Sequence, residues 1–209
     1  MNTEFTKIRN EIEINYSYYL DYLNTYLSKE KIAHCISTST YALYMVRTKE
    51  MKVNEHKVIL SGILHDLCRE WKTDDIINKA KEFNIEINEY ERKYPVLLHG
   101  PLAANLIAKE LNISDMDIYE SIYWHTTGKA NLGLVGQILY LSDFSEPLRK
   151  YSQAEKSREI LMHYGFFDAL FYSANERYKL SLKKREPSPY SLEFINWLKN
   201  KRDLLVNAE

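Results

Sequence analysis

The chain has 209 residues, with 28 Lys+Arg against 29 Asp+Glu, six His, two Cys and 45% hydrophobic content. That length suits one domain with a core that needs no staples. A formal net charge of -1 gives no global attraction for a nucleic acid polymer or an anionic membrane, so neither is expected as a partner and any polyanion must be held by local positive charge.

Two Cys make no disulfide framework and point to a reducing cytoplasm. The first ten residues carry Glu4, Lys7 and Arg9 rather than a signal-peptide core, and no run reaches the ~18 apolar residues of a membrane span. In chain order, Ile8, Ile12, Tyr16, Tyr19, Leu20, Leu23 and Leu27 recur mostly at spacings of three or four, which predicts one amphipathic helix. A second is expected over Lys29–Thr48, with Ile32, Ile36, Leu43 and Val46 inward. Asn54 is placed to cap a third, which carries Val58, Ile59, Ile63 and Leu64 up to His65-Asp66. Thr73 is expected to cap a short fourth helix, whose first turn holds Asp74 and Asp75 at the positive end of its dipole. Residues 84–95 mix turn formers with charge and read as partly loop.

Pro101 suits a first turn, where its missing N–H costs nothing, so a fifth helix runs from Gly100-Pro101 through Leu111. Ser114 with Asp117 resembles a capping box that opens a helix ending near His125. Residues 126–133 read as loop, and residues 134–144 as a helix stopped before Pro147. Residues 152–185 and Pro189–Val206 read as two final helices, separated by Pro187-Ser188-Pro189. No alternating strand pattern, internal repeat or low-complexity tract is present. The prediction is a single all-α domain over residues 1–209.

Six residues on separate helices or helix ends stand out: His34, His65, Asp66, His99, His125 and Asp143. Each lies among apolar or small neighbours. Buried polar groups left unpaired cost ~1–3 kcal/mol each, a heavy load for a marginally stable fold, and a shared metal centre would satisfy all six. Four imidazoles and two carboxylates suit a pair of first-row metals, with one carboxylate bridging. Consecutive helical residues point ~100° apart, so His65 and Asp66 can edge one pocket with Asp66 reaching across both ions. The alternative for any single His is an ordinary core residue. His56 and His163 sit in polar settings and read as surface or structural residues. Cys35 and Cys68 lie near these positions, either as soft ligands or, more in keeping with Cys, as small buried hydrophobes.

The array His34, His65-Asp66, His99, His125, Asp143 resembles the two-metal branch of the HD-domain phosphohydrolases. Three segments are similar to the bacterial symmetrical diadenosine tetraphosphate hydrolases within that superfamily: Leu64-His-Asp-Leu-Cys-Arg69, Leu98-His-Gly-Pro101, and Trp124-His-Thr-Thr-Gly128 followed by Asp143-Phe-Ser-Glu-Pro-Leu-Arg149. Lys31, Cys35, Arg69, Ser142 and Ser145 depart from the residues usual there, and all spare the ligand positions.

The resemblance implies an HD helical bundle, with its metal-binding core over about residues 20–150 and the helices from about residue 151 onward packed on it. It implies hydrolysis of diadenosine tetraphosphate to two ADP by a hydroxide held between two ions, with iron first and Mn, Co or Zn as alternatives. One assignment puts His34, His65, Asp66 and Asp143 on the first ion and Asp66, His99 and His125 on the second. His65, Asp66 and Arg149 take the catalytic roles, Arg149 because its fork can grip phosphate in bidentate fashion; a surface pair with Glu146 is its alternative. Arg69, Lys72, Lys129 and Arg149 are the candidate phosphate cations. Thr126 and Thr127 could donate to phosphate, Gly128 could let backbone approach it, and His99 borders the same space. A homodimer is open as an assembly. Two other readings are an HD nucleotidase or phosphodiesterase acting on another nucleotide, and a non-catalytic, metal-containing nucleotide-binding module.

Overall fold

The computed structural model describes residues 3–184, Glu186 and 188–206. Among them are twelve α-helices, one short 3-10 helix and no strand. No helix of the described residues is long and apolar enough to cross a membrane.

The amphipathic stretch at the start forms two helices, α1 (Thr3–Asn15) and α2 (Ser17–Leu23), instead of one. Tyr16 leaves helical geometry at φ -117° and ψ 19°, and its hydroxyl is hydrogen-bonded to Nδ1 of His56 at 2.9 Å. The bend lets Ile8, Ile12 and Leu23 all reach the same core.

Next comes α3 (Lys29–Thr48), capped by Ser28, whose Oγ accepts from Lys31 N. It is buried almost all round from His34 to Val46, as expected of a helix packed on several sides. Its small polar run Ser37-Thr38-Ser39-Thr40 survives burial through internal hydrogen bonds: Thr40 Oγ1 donates to Ile36 O at 2.7 Å and Ser39 Oγ to Ile59 O at 3.0 Å.

Asn54 caps α4 (Glu55–Leu64) as predicted. A Cβ on Gly62 would lie 2.6 Å from Ser39 Cα, so a glycine facing a serine is what allows α3 and α4 to cross this closely. That crossing sets His34 beside His65.

In α5 (Thr73–Glu82), Lys72 occupies the cap and makes no side-chain cap bond, so Thr73 is already helical and does not cap. The expected loop of residues 84–95 contains a further short helix, α6 (Glu89–Lys93), closed by a capping box between Asn88 and Glu91. The 3-10 helix Pro95–Leu98 leads into α7 (His99–Glu110). Asp115, not Ser114, caps α8 (Met116–Trp124), accepting from the backbone of Asp117 and Ile118.

After α9 (Leu134–Ser145), the long helix expected over residues 152–185 is two helices, α10 (Ser152–His163) and α11 (Phe166–Leu182). Gly165 separates them at φ 100°, a backbone state that ends a helix and that L side chains avoid. The last helix, α12, spans Pro189–Val206. The expected end at Arg185 and the break at Pro187 lie outside the described residues.

Helices α3, α4, α8 and α9 pack on one another, α7 covers α8, and α10 and α11 pair against α9, with α12 on α11. One apolar cluster fills the side of α2, α4 and α7, and a second joins α3 and α9 to α10, α11 and α12. The site lies at one end of this group, where α3 begins and where α4, α8 and α9 end.

Candidate metal centre

His65, His99 and His125 share one local design. Each occupies the C-terminal cap of a helical segment (α4, the 3-10 helix and α8 respectively) with αR backbone angles. A helix end leaves its last carbonyls short of intrahelical partners, and in all three cases the ring bonds one of them, those of Val96 and Ile122 also accepting the backbone N–H of the same histidine. Nδ1 of His65 bonds Gly62 O at 2.9 Å, that of His99 bonds Val96 O at 2.5 Å, and that of His125 bonds Ile122 O at 2.7 Å. A carbonyl only accepts, so each Nδ1 carries a hydrogen and each Nε2 is turned inward, free to present a lone pair to a metal ion. The fourth histidine, His34 in the second turn of α3, is aimed differently: its Nδ1 faces Glu146 Oε1 at 3.1 Å, and although burial opposes its charge, its contacts with Asp143 and Glu146 raise its pKa.

The four Nε2 atoms converge on two buried carboxylates. Asp66 Oδ2 lies 3.8 Å from Nε2 of both His34 and His65, whereas Asp66 Oδ1 lies 3.3 Å from His99 Nε2 and 3.6 Å from His125 Nε2. Asp143 Oδ1 is 3.1 Å from His34 Nε2 and 3.7 Å from His65 Nε2. Three sets of ligating atoms lie within metal-binding reach of one another: His34, His65 and Asp66; His65, His125 and Asp143; and Asp66, His99 and His125.

The donor chemistry fits a cation. Among the described residues, His65 Nε2 is the buried side-chain nitrogen left without any hydrogen-bond partner. Burial pushes His99 and His125 down by more than Asp66 pulls them up, so both favour the neutral form. Burial opposes ionisation of Asp66, but its contacts with His65 first, then His125 and His99, hold its carboxyl well below the usual range. Asp143 is likewise held low against its burial, first by the Arg177 guanidinium and then by His34 and His65. Lone pairs and carboxylate oxygens thus share one space, which is the arrangement a divalent metal satisfies.

Two arginines and a lysine brace the carboxylates. Arg177 Nη2 sits 3.0 Å from Asp143 Oδ2, Arg149 Nη2 sits 3.1 Å from Asp143 Oδ1, and Lys31 Nζ sits 2.9 Å from Asp66 Oδ2. Arg149 is therefore no simple surface partner of Glu146, whose Oε1 is 3.6 Å from Arg149 Nε. Glu146 instead faces His34 and accepts from Ser37 Oγ at 2.5 Å.

All six of the predicted His and Asp residues thus meet, with Arg149 beside them. Thr126 joins them too, its Oγ1 3.1 Å from His125 Nε2 and 3.3 Å from His99 Nε2. Arg69 lines an adjoining groove with His99 and Thr126.

The remaining candidates sit elsewhere. Lys72 opens onto a different cleft with Tyr26 and Trp71. Lys129 donates to Glu120 at 2.7 Å and lies over the Trp124 ring. Thr127 is buried. Gly128, at φ 70°, faces the Phe194 ring, with Cδ1 2.3 Å from where a Cβ would stand; its backbone approaches an aromatic ring.

Cys35 and Cys68 are wholly buried, and burial raises both thiols. They pack as small apolar residues in the core. His56 and His163 are exposed and apart from the cluster.

Arg177, Glu146 and Lys31 were not singled out by the sequence as partners of the cluster. Arg177 left one signal, its place three and seven residues after Ala174 and Leu170, both on the buried face of α11.

A family model described as the HD domain matches residues 32–148, which encloses all six His and Asp residues. Three curated relatives carry the name symmetrical bis(5'-nucleosyl)-tetraphosphatase. The one from Staphylococcus aureus is 29% identical over 65% of this chain and 69% of its own length. That from Halalkalibacterium halodurans is 26% identical over 66% and 73%, and that from Bacillus subtilis 22% identical over 82% and 91%. A crystal structure of a predicted HD superfamily hydrolase from Clostridium acetobutylicum superposes with a TM-score of 0.82 at 24% identity, covering 90% of this chain and 98% of that one. That likeness bears on the fold.

Proposed function

This chain belongs to the HD domain family, and from that premise we propose that it is a metal-dependent phosphohydrolase that splits diadenosine tetraphosphate with one water into two ADP. The observation that carries the proposal is the division of Asp66, whose two oxygens face two different histidine pairs. A carboxylate so placed can serve two ions at once. His34, His65, Asp66 and Asp143 would hold one, and Asp66, His99 and His125 the other.

When bound, such ions lower the pKa of water and draw charge from a phosphoryl oxygen. Iron is the metal we place first, since imidazole with carboxylate suits it; Mn, Co and Zn are accepted by the same donors.

The protein's own groups do the rest. Arg149 is 36% exposed beside Asp143, so its guanidinium can turn to a phosphate while staying next to the cluster. It neutralises charge that grows on the phosphoryl oxygens as the P–O bond breaks. The Thr126 hydroxyl, on the opposite side by His99 and His125, can donate to a second oxygen. ADP departs as a stable phosphate anion, so no side-chain acid is needed to protonate it. Cleavage at the middle of the chain is supported by the names of the three relatives.

A nucleotide substrate and two free, buried Cys suit the cytoplasm, and we propose that the chain acts there as one domain. The deciding experiment incubates purified, metal-loaded protein with diadenosine tetraphosphate and separates the products. ADP alone is the expected result. ATP with AMP, or no turnover while another nucleotide is consumed, would overturn it.

A further inference from the structure

A groove of about 480 Å³ opens beside His99 and Thr126, between the 3-10 helix and the end of α11. Among the described residues, its lining carries Arg69, Arg177, Lys183 and Lys184 and no carboxylate. In a chain whose charges nearly cancel, three cations from α11 and its C-terminal end facing a fourth, Arg69, from the turn after α4 are a local departure from the average. Arg177 is occupied by Asp143. Among the described residues, Arg69, Lys183 and Lys184 form no ion pair, as is so of about half of the Lys and Arg; what distinguishes these three is that they line one groove that ends at the cluster.

Lysines in a last turn commonly do no more than complement the helix dipole. That explanation does not cover Arg69, which follows α4 and lines the same groove. The lining also holds apolar side chains, Val96 (41% exposed) and Leu97 from the 3-10 helix and Leu180 from α11, together with Tyr94. Cationic and apolar side chains sharing one groove at the His99 end of the cluster match a nucleoside bearing several phosphates better than a bare anion or an apolar ligand.

We propose that this groove holds the polyphosphate chain and nucleoside lying beyond the bond that is cut, with Lys183 and Lys184 on the distal phosphates and Arg69 on the one nearest the cluster. The proposal rests on the phosphohydrolase reading for the position of the cleaved phosphate. It makes α11 a determinant of substrate length, since a ligand with a single phosphate at the cluster would not reach the lysines.

The test compares ATP with AMP for binding to the metal-loaded protein by calorimetry, in the wild type and in the double variant Lys183→Gln/Lys184→Gln. Wild type should prefer ATP, and raising the salt should weaken the preference. The double variant should lose about tenfold of it, at about a factor of three per exposed charge contact. Arg69→Gln, on a different element, should act in the same direction. Lys156→Gln, paired with Glu159 on α10, should leave the preference as it is. An unchanged ATP preference in both the double variant and Arg69→Gln overturns the groove.

Hydrolysis of diadenosine tetraphosphate by wild type, followed in parallel, separates the two readings. Turnover to ADP with an unmoved preference discards the groove alone. A lysine-dependent preference without such turnover discards the tetraphosphatase reading and keeps the groove.

Discussion

The Nε2 atoms of His99 and His125 stand 3.0 Å apart, although both rings have committed their Nδ1 hydrogens to backbone carbonyls. Two neutral imidazoles so arranged oppose lone pair to lone pair. The Thr126 hydroxyl can donate to one of these lone pairs, and a cation shared between them would satisfy both. His65 Nε2, buried and without a hydrogen-bond partner, presents the same demand a few ångströms away. The fold has spent three helix ends on aiming these atoms, and a metal ion is the ligand that makes the aim stabilising.

Metal removal should therefore be felt as lost stability as well as lost activity. A ligand that binds the folded state alone stabilises it by RT ln(1 + [L]/Kd), about 4 kcal/mol at 1,000 times Kd. Chelation should lower the thermal midpoint by several degrees, and re-addition of iron or manganese should restore it. Identical melting curves with and without chelator would show that the cluster is held by protons and hydrogen bonds alone.

Asp66→Asn keeps the size of the side chain and removes the charge that both histidine pairs face. Metal content per chain should fall, and hydrolysis should drop by more than the about 10–100-fold that follows loss of an outer partner of a metal ligand. Elemental analysis beside a turnover assay checks both. Full metal content in the variant would mean that Asp66 is a neighbour of the ions and no ligand.

Arg177→Met tests whether α11 braces the site. The guanidinium reaches Asp143 Oδ2 and the carbonyls of His125 and Tyr140, and it lies over the Tyr140 ring. Removing one partner from a fully buried ion pair costs about 3–5 kcal/mol, and with Arg177 20% exposed the loss should lie below that range. The variant should unfold at markedly lower denaturant, and Arg177→Lys should recover only part of the loss because it lacks the planar fork. Unchanged stability in the Met variant would place the anchoring of Asp143 with Arg149 instead.

The cluster is legible in the sequence because each His and Asp interrupts an apolar or small-residue stretch, where a polar group needs a reason. Arg177 is not, since 34 residues separate it from Asp143 and it sits among Glu176 and Lys179 as any solvated helix position would. Caps are ambiguous for a different reason. Ser114 and Asp115 are both good acceptors one residue apart, so the small energy difference is settled by how α8 docks. Tyr16 fits the helical period as well as its neighbours do, and only its bond to His56, 40 residues away, reveals the bend. What local pattern conceals is consistently the long-range partner.

Gly128 offers the sharpest contrast between motif and structure, because the same glycine has two incompatible explanations. If its role is to let the backbone approach a phosphate, Gly128→Ala should impair nucleotide binding while leaving the fold intact. The geometry argues for the opposite result. The residue sits at φ 70°, where a Cβ costs on the order of 1 kcal/mol or more, and the new atom would stand 2.3 Å from Phe194 Cδ1 and 2.6 Å from Cγ. Phe194 is fully buried and packs edge-on against Tyr140, so it has little room to yield. Overpacking of this kind adds about 1–3 kcal/mol. Gly128→Ala should therefore lower the thermal midpoint, and trimming the ring in Gly128→Ala/Phe194→Leu should recover the steric part of the loss but not the backbone part. A single variant that melts like wild type and binds nucleotide weakly would return this glycine to the phosphate.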